Sequence, residues 1–330
     1  MALLLSKPDI MHLIDMHTTM EIVERAFHEF NDGTAFLPAR TAIDVTKNEG
    51  IVAIMPAYMQ EIGALGAKFV TYFRQNVSTF NKPAIMGTIH IFDENTGEPL
   101  AIMDGTYITK MRTGAATGIA TKLMARSDSE VATIFGTGSM ARMQIWAMVE
   151  VGRFKKFNVV SKDNREHIYA FCKEMSETLQ IPFENRKDVE EAVRESDVIT
   201  MVTDSKKPLI KREWLKEGVH INAVGANAVE DHEVDVKTVL EARIAVDSIS
   251  SCRRIAGDLL IPEKTGKWSW DSVIGELGDL VAGKVQGRTK PKQITLFKSV
   301  GLAIQDVSTA LQVFKLARER GIGTEYDFGM

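Results

Sequence analysis

The run Glu130-Val131-Ala132-Thr133-Ile134-Phe135, followed at once by Gly136-Thr137-Gly138-Ser139-Met140-Ala141 and then by a helical pattern over 142–150, leaves few folds open to this chain. β-Branched and aromatic residues favour the strand. Gly136 permits a tight turn, Gly138 has no side chain to block a pyrophosphate, and Ala141 lets the helix pack closely on the strand. Backbone amides at such a helix start suit phosphate oxygens. A lone GxGxxA arises often by chance, so its surroundings decide. Here further strand-like runs follow at 157–160, 181–183, 198–202, 220–224 and 244–246, several with helical segments between them. That alternation predicts an α/β fold with a doubly wound parallel sheet, a Rossmann domain.

The residues on either side read differently. A strand at 3–5 is followed by Thr18-Thr19-Met20-Glu21, which reads as a capping box, and by a helix to Asn31. In that helix Met20, Val23, Phe27 and Phe30 recur at helical spacing and predict one core-facing stripe. From 39 to 103 the pattern shortens to β-like runs at 51–55, 67–73, 84–92 and 99–103, separated by turn signals such as Asn95-Thr96-Gly97, which predicts a mostly antiparallel sheet. Met55, Tyr58, Phe73 and Met86 within it read as core. The Ala-, Gly- and Thr-rich stretch 113–126 predicts a closely packed helix. A less regular stretch holds Pro262, Gly266 and the tryptophans at 268 and 270; a strand at 293–297 and an amphipathic helix at 302–318 then return the chain to its first unit. Two domains follow: a split α+β domain of residues 1–113 plus 302–330, and the Rossmann domain of residues 114–301.

Composition narrows the function. A net charge of −4 supplies no basic field for nucleic acid. The two distant cysteines, Cys172 and Cys252, predict buried reduced thiols, and with no CxxC, HxxxH or HExxH spacing no metal site is expected. There is no signal-peptide pattern and no apolar run long enough to span a membrane, so a cytoplasmic protein without a membrane partner is expected.

The second Rossmann strand should end near the group that reads the adenosine ribose: an acid for NAD, a base for NADP. Here it ends Val160-Ser161-Lys162-Asp163-Asn164-Arg165. Ser161 is not acidic, and Lys162 and Arg165 can neutralise a 2′-phosphate, so NADP(H) is favoured over NAD(H). Two other readings stay open: Asp163 on a ribose hydroxyl after a small register shift, and Lys162 and Arg165 as solvated loop charges.

Several longer segments carry a family resemblance. They are the MDGTYITKMRTGAA run from Met103 to Ala116, the GxGxxA turn, Ile221-Asn222-Ala223-Val224-Gly225-Ala226-Asn227, the GELGDLVAG run from Gly275 to Gly283, and the KSVGLAIQD run from Lys298 to Asp306. Taken in this order, they make the chain resemble the ornithine cyclodeaminase/μ-crystallin family over nearly its whole length. That resemblance implies a split substrate and dimerisation domain around a Rossmann domain, and a homodimer. It implies that Arg112 holds a substrate carboxylate, as suits a planar guanidinium with paired donors, that Arg40 has a similar role, and that Lys68 stands beside the reacting nitrogen or oxygen. A desolvated lysine between two arginines has its charged form disfavoured and can exchange a proton near neutral pH. Cofactor contacts are implied at Gly136, Thr137, Gly138, Ser139, Met140, Ala141, Ser161, Lys162, Arg165, Val224 and Asn227.

Two positions depart from the family. Asn227 replaces an aspartate found in cyclodeaminases and alanine dehydrogenases, and an amide cannot act as a general base. Ala53 replaces an arginine before the Met55-Pro56 pair. The reading favoured is an NAD(P)H-dependent oxidoreductase acting on the C–N bond of a small amino or imino acid, an imine (ketimine) reductase. Ornithine cyclodeaminase, alanine dehydrogenase and an NADPH-binding regulatory protein are the alternatives.

Overall fold

The structure, a computed structural model, describes residues 1–329. The chain forms two compact units, Met1–Arg112 with Leu302–Met330, and Thr113–Gly301.

The first unit contains an eight-stranded sheet made of β1 (Ala2–Leu5), β2 (Ala35–Phe36), β3 (Thr41–Val45), β4 (Gly50–Met59), β5 (Ala64–Phe73), β6 (Ile85–Phe92), β7 (Pro99–Asp104) and β16 (Thr324–Tyr326). Its order is β16-β1-β7-β6-β5-β4-β2, with β3 also paired to β4. All pairs are antiparallel except β1 with β7. The helices are α1 (Lys7–Met11), α2 (Met16–Asp32), α3 (Asn76–Phe80) and α12 (Ala303–Arg320), with the start of α4 (Gly105–Met124). Helices α2 and α12 pack together, and α12 lies along β4, β5 and β6. Strand alternation then decides what is buried: on β4, Ala53, Met55, Ala57 and Met59 are buried, and on β5, Ala64, Gly66 and Lys68. A register row Met55–Lys68–Ile89–Met103 crosses four strands on this core face, so the lysine belongs to a hydrophobic layer.

The second unit is a parallel sheet, β8 (Val131–Phe135), β9 (Lys156–Val160), β10 (Phe183–Asn185), β11 (Val198–Met201), β12 (His220–Ala223), β13 (Arg243–Val246), β14 (Val273–Glu276) and β15 (Thr295–Lys298), in the order β10-β9-β8-β11-β12-β15-β13-β14. The strand order reverses between β8 and β11, the switch point of a doubly wound sheet. Besides the rest of α4, this unit holds α5 (Ser139–Val151), α6 (Arg165–Leu179), α7 (Val189–Glu195), α8 (Val236–Glu241), α9 (Ile249–Ile255), α10 (Gly257–Lys264) and α11 (Leu277–Val281). Two apolar clusters pack on the sheet, one including Ile145, Phe171 and Met175 from α5 and α6, the other Val239, Cys252 and Leu259 from α8, α9 and α10. Both cysteines are free and buried. Among the described residues no helix is long and apolar enough to cross a membrane.

Several boundaries differ from the expected ones for physical reasons. Asp15, not Thr18, caps α2: its carboxylate accepts from the Thr18 amide, and the helix starts at Met16. Helix α4 begins at Gly105 rather than 113, because Asp104 accepts from the Tyr107 amide and starts the helix ahead of the Ala-rich segment. The strand expected at 181–183 lies at Phe183–Asn185. The stretch around Pro262 forms α10, with the proline near its end. On the sheet, Met55 is core, whereas Tyr58, Phe73 and Met86 are only half-buried.

Candidate active site

In the first unit, Lys68, Arg112 and Asp306 meet in the core. Lys68 is 2% exposed, Arg112 5% and Asp306 0%, which excludes solvated surface charges. Lys68 Nζ lies 2.7 Å from Asp306 Oδ2, and Arg112 Nε donates to Asp306 Oδ1 at 3.0 Å. Arg112 Nη1 donates to Gln305 Oε1 at 2.7 Å, and that oxygen also accepts from the Leu302 amide at 3.0 Å. These bonds fix the guanidinium plane. The Gln305 Nε2 group is buried with no hydrogen-bond partner among the described residues. Arg40, half-buried just before β3, is close enough for its charge to act on Lys68.

Burial pushes the Lys68 ammonium down to about 8; Asp306 opposes this, and Arg112 and Arg40 add to it. Burial also disfavours the Asp306 carboxylate, but Arg112 and Lys68 outweigh it and hold the acid below its usual range. Two buried cations, Lys68 and Arg112, therefore share one buried carboxylate. Such an excess of buried positive charge is balanced by an anionic ligand, and the fixed guanidinium suits a second carboxylate. The structure brings together Lys68, Arg112 and Arg40, and adds Asp306 and Gln305, which sequence reasoning missed. Ala53 is buried on the same face of β4 as Met55.

The second unit carries the glycine turn. Gly136 has φ +104, a backbone conformation that favours glycine, and a Cβ there would lie 3.3 Å from the Val202 carbonyl oxygen. Gly138 begins α5, no side chain caps that helix, and a Cβ at 138 would point into open space. Open space above a glycine at an uncapped helix start fits a pyrophosphate. Thr137 and Ala141 are buried, Ser139 is exposed and Met140 half-buried. Arg142 braces the turn from below: Nη1 donates to the Thr137 carbonyl at 3.2 Å, and the guanidinium stacks on Phe171 and pairs with Glu174.

Beyond β9, Lys162 and Arg165 are exposed and Ser161 is half-buried. Asp163 accepts from the hydroxyls of Thr137 and Ser161, and these bonds, Thr137 first, hold its pKa below the usual range. After β12, Val224 is buried. Asn227 is exposed and donates back to the Val224 and Gly225 carbonyls at 3.1 and 3.4 Å.

The model of the ornithine cyclodeaminase/mu-crystallin family matches residues 2–321. A Delta(1)-pyrroline-2-carboxylate reductase of Bacillus cereus is 33% identical over 327 residues, covering 99% of this chain and 100% of that protein. The structure of Thermococcus litoralis Delta(1)-pyrroline-2-carboxylate reductase in complex with NADH and L-proline superposes with a TM-score of 0.95 at 41% identity, covering 98% of this chain and 100% of that one. An archaeal alanine dehydrogenase dimer with bound NAD follows at a TM-score of 0.93 and 33% identity, with 99% of each chain covered. The chain that carries the buried Lys–Asp–Arg cluster in one unit and the glycine turn on a parallel sheet in the other is matched almost end to end, and it belongs to the ornithine cyclodeaminase/mu-crystallin family.

Proposed function

We propose that this protein is an NAD(P)H-dependent imine reductase that converts a small cyclic imino acid, of the Δ1-pyrroline-2-carboxylate class, to the amino acid. The observation that carries this reading is the buried Lys68–Asp306–Arg112 cluster, whose surplus positive charge calls for an anion. The B. cereus and T. litoralis reductases support the ring size, and the L-proline held by the latter is the expected type of product.

The chemistry follows from the residues. Arg112, oriented by Asp306 and Gln305, offers its Nη2 edge to the substrate carboxylate; Arg40 assists, and the spare Gln305 Nε2 is a further donor. Fixing the carboxylate fixes the imine carbon, which removes much of the orientational barrier. A nicotinamide cofactor, when bound, would supply the hydride that reduces the C=N bond. Lys68 Nζ donates the proton that the nitrogen needs to become an amine. In the second unit Gly136, Thr137, Gly138, Ser139, Met140 and Ala141 would hold the pyrophosphate, and Val224 and Asn227 would flank the nicotinamide half.

NADPH is the favoured form. Asp163, the acid that follows β9, is engaged by Thr137 and Ser161, whereas the equally exposed Lys162 and Arg165 leave a 2′-phosphate two cations to meet. The relatives above hold NADH or NAD, so the assay needs both cofactors. Absorbance is followed with NADPH and NADH separately against Δ1-pyrroline-2-carboxylate and its six-membered homologue, with ornithine plus NAD assayed for ammonia. Imine-dependent oxidation, faster with NADPH, is expected. Faster NADH oxidation overturns only the cofactor choice. Ammonia from ornithine without imine turnover overturns the reductase.

The Lys68 pKa of about 8 sets a pH dependence. Imine reduction needs the ammonium as acid, so its kcat/KM falls as pH rises through about 8. Oxidation of the amino acid needs the neutral amine as base, so its rate rises over the same interval. Two profiles with limbs of the same sign refute the lysine's role.

A homodimer completes the proposal. The sheet face of the first unit away from α12 exposes Ile43, Ile54 and Phe69, adjacent through the registers Ile43–Val52 and Ile54–Phe69. An apolar face of this kind is characteristic of a subunit contact, and the archaeal alanine dehydrogenase is a dimer. Light scattering should give twice the chain mass, and Phe69→Glu should shift the protein towards monomer; a monomeric wild type ends this part. The ordinary composition and two buried free thiols suit a cytoplasmic enzyme.

A further inference from the structure

Three of the buried ionisable groups of the second unit that the function above leaves unused are linked to one another. Glu233, Asp258 and Lys298 are each 0% exposed. Glu233 lies beyond β12, Asp258 in the first turn of α10, and Lys298 at the carboxyl end of β15.

Their bonds converge on two loops. Glu233 Oε1 accepts from the Thr203 amide at 2.8 Å and the Thr203 hydroxyl at 2.7 Å. Oε2 accepts from the Gly225 and Ala226 amides at 2.9 and 3.2 Å. One carboxylate therefore clips the segment after β11 to the segment after β12. Asp258 Oδ1 holds the Glu233 and Val234 amides at 2.7 and 3.0 Å, while its Oδ2 lies 2.9 Å from Lys298 Nζ. Lys298 donates to the Ala226 carbonyl at 2.6 Å, so Ala226 is gripped at both ends. The approach leaves no room for a side chain at 225, where a Cβ would stand 2.2 Å from the Thr203 carbonyl oxygen and 2.6 Å from Glu233 Oε1.

These segments lie at the carboxyl ends of β11 and β12, beside the switch point, where open α/β sheets bind their ligands. The first also borders the glycine turn: the nearest atoms to a Cβ at Gly136 belong to Val202 and Thr203. Burying three charges is a poor way to gain stability, since apolar groups of similar volume usually serve as well. Holding two loops in one arrangement is a task that four bonds to one carboxylate perform and apolar packing does not.

We propose that Glu233, braced by Asp258 and Lys298, is a positioning residue for the cofactor: it sets the loop walls, Thr203 on one side and Gly225 to Asn227 on the other, between which the nicotinamide half is received. The proposal rests on the dinucleotide reading of this unit. Glu233 is fully buried and acts through the Thr203, Gly225 and Ala226 amides and the Thr203 hydroxyl.

The test compares Glu233→Gln with Asp197→Asn. Asp197 sits at the opposite, amino-terminal edge of the same sheet, where it accepts from the Glu130 and Val131 amides and pairs with Arg126 and Lys216. Glutamine at 233 keeps one acceptor and turns an NH2 towards two amide donors. Three quantities are measured: cofactor Kd for NADPH and NADH by fluorescence titration, thermal midpoint, and amide hydrogen exchange of the ligand-free protein.

In Glu233→Gln, cofactor binding is expected to weaken by at least about tenfold, with faster exchange at Thr203, Gly225 and Ala226 before any ligand is added. In Asp197→Asn, the midpoint falls and Kd stays. Thr203→Val removes one donor and should weaken binding about threefold; it decides the matter if Glu233→Gln does not fold. Wild-type Kd in Glu233→Gln, or in Thr203→Val where that decides, overturns the proposal while leaving the reductase reading intact. So does equal weakening in Asp197→Asn. A wild type that binds neither NADPH nor NADH overturns both.

Discussion

Lys68→Ala is expected to lower kcat/KM for imine reduction by about 10²–10⁴-fold, the range for loss of a positioned general acid, while cofactor Kd stays at its wild-type value. The lysine occupies a core row between Met55 and Ile89, where truncation also removes a buried cation from Asp306. Activity loss must therefore be separated from damage to the fold. Lys68→Arg serves this purpose: it keeps the charge for Asp306, but a guanidinium does not release a proton near neutral pH. If arginine restores activity, Lys68 supplies charge and not a proton. Full activity in Lys68→Ala removes it from the mechanism.

Asp306→Asn is expected to have the largest effect on both stability and catalysis. It leaves two buried cations without their counterion, and breaking a buried ion pair in this way costs about 3–5 kcal/mol. It also frees the Arg112 guanidinium, so KM for the imino acid rises. The sign of the pH effect is fixed as well. Asp306 opposes the depression of Lys68, so its removal lowers the lysine pKa below about 8, and the alkaline limb of imine reduction moves to lower pH. A merely structural aspartate would lower the thermal midpoint and leave that limb where it is. An unmoved limb would falsify the coupling.

The parts of this molecule legible in its sequence are those whose cause is local. The glycine turn, the β-like runs of β4 to β7 and the stripe on α2, of which Met20, Val23 and Phe27 are buried and Phe30 half-buried, each follow from residues a few positions apart. The run 51–55 stops short of β4 because Pro56 has no N–H and reads as a breaker, yet β4 continues through it to Met59 with Pro56 opposite Ala67. β14 was not anticipated; it is four residues long with a glycine inside. Lys68 and Arg112 were found through family resemblance. Asp306 closes the KSVGLAIQD run, but an acid in the first turn of a helix normally complements the helix dipole, so its position signals no other role. Its partner Arg112 is 194 residues away, and no periodicity links them. Glu233 was missed for the same reason: three of its four bonds come from backbone amides, which leave no mark on side-chain pattern.

The order of these parts along the chain has a consequence for biosynthesis. Lys68 and Arg112 leave the ribosome long before Asp306, and the whole Thr113–Gly301 unit is translated in between. Domains fold as units during synthesis, generally the earlier first, but here the earlier one lacks its anion, its covering helix α12 and the strand β16 that pairs with β1. The inserted unit is therefore the first able to finish, and the amino-terminal sheet waits, with two cations that cannot be buried alone, for the final stretch of translation.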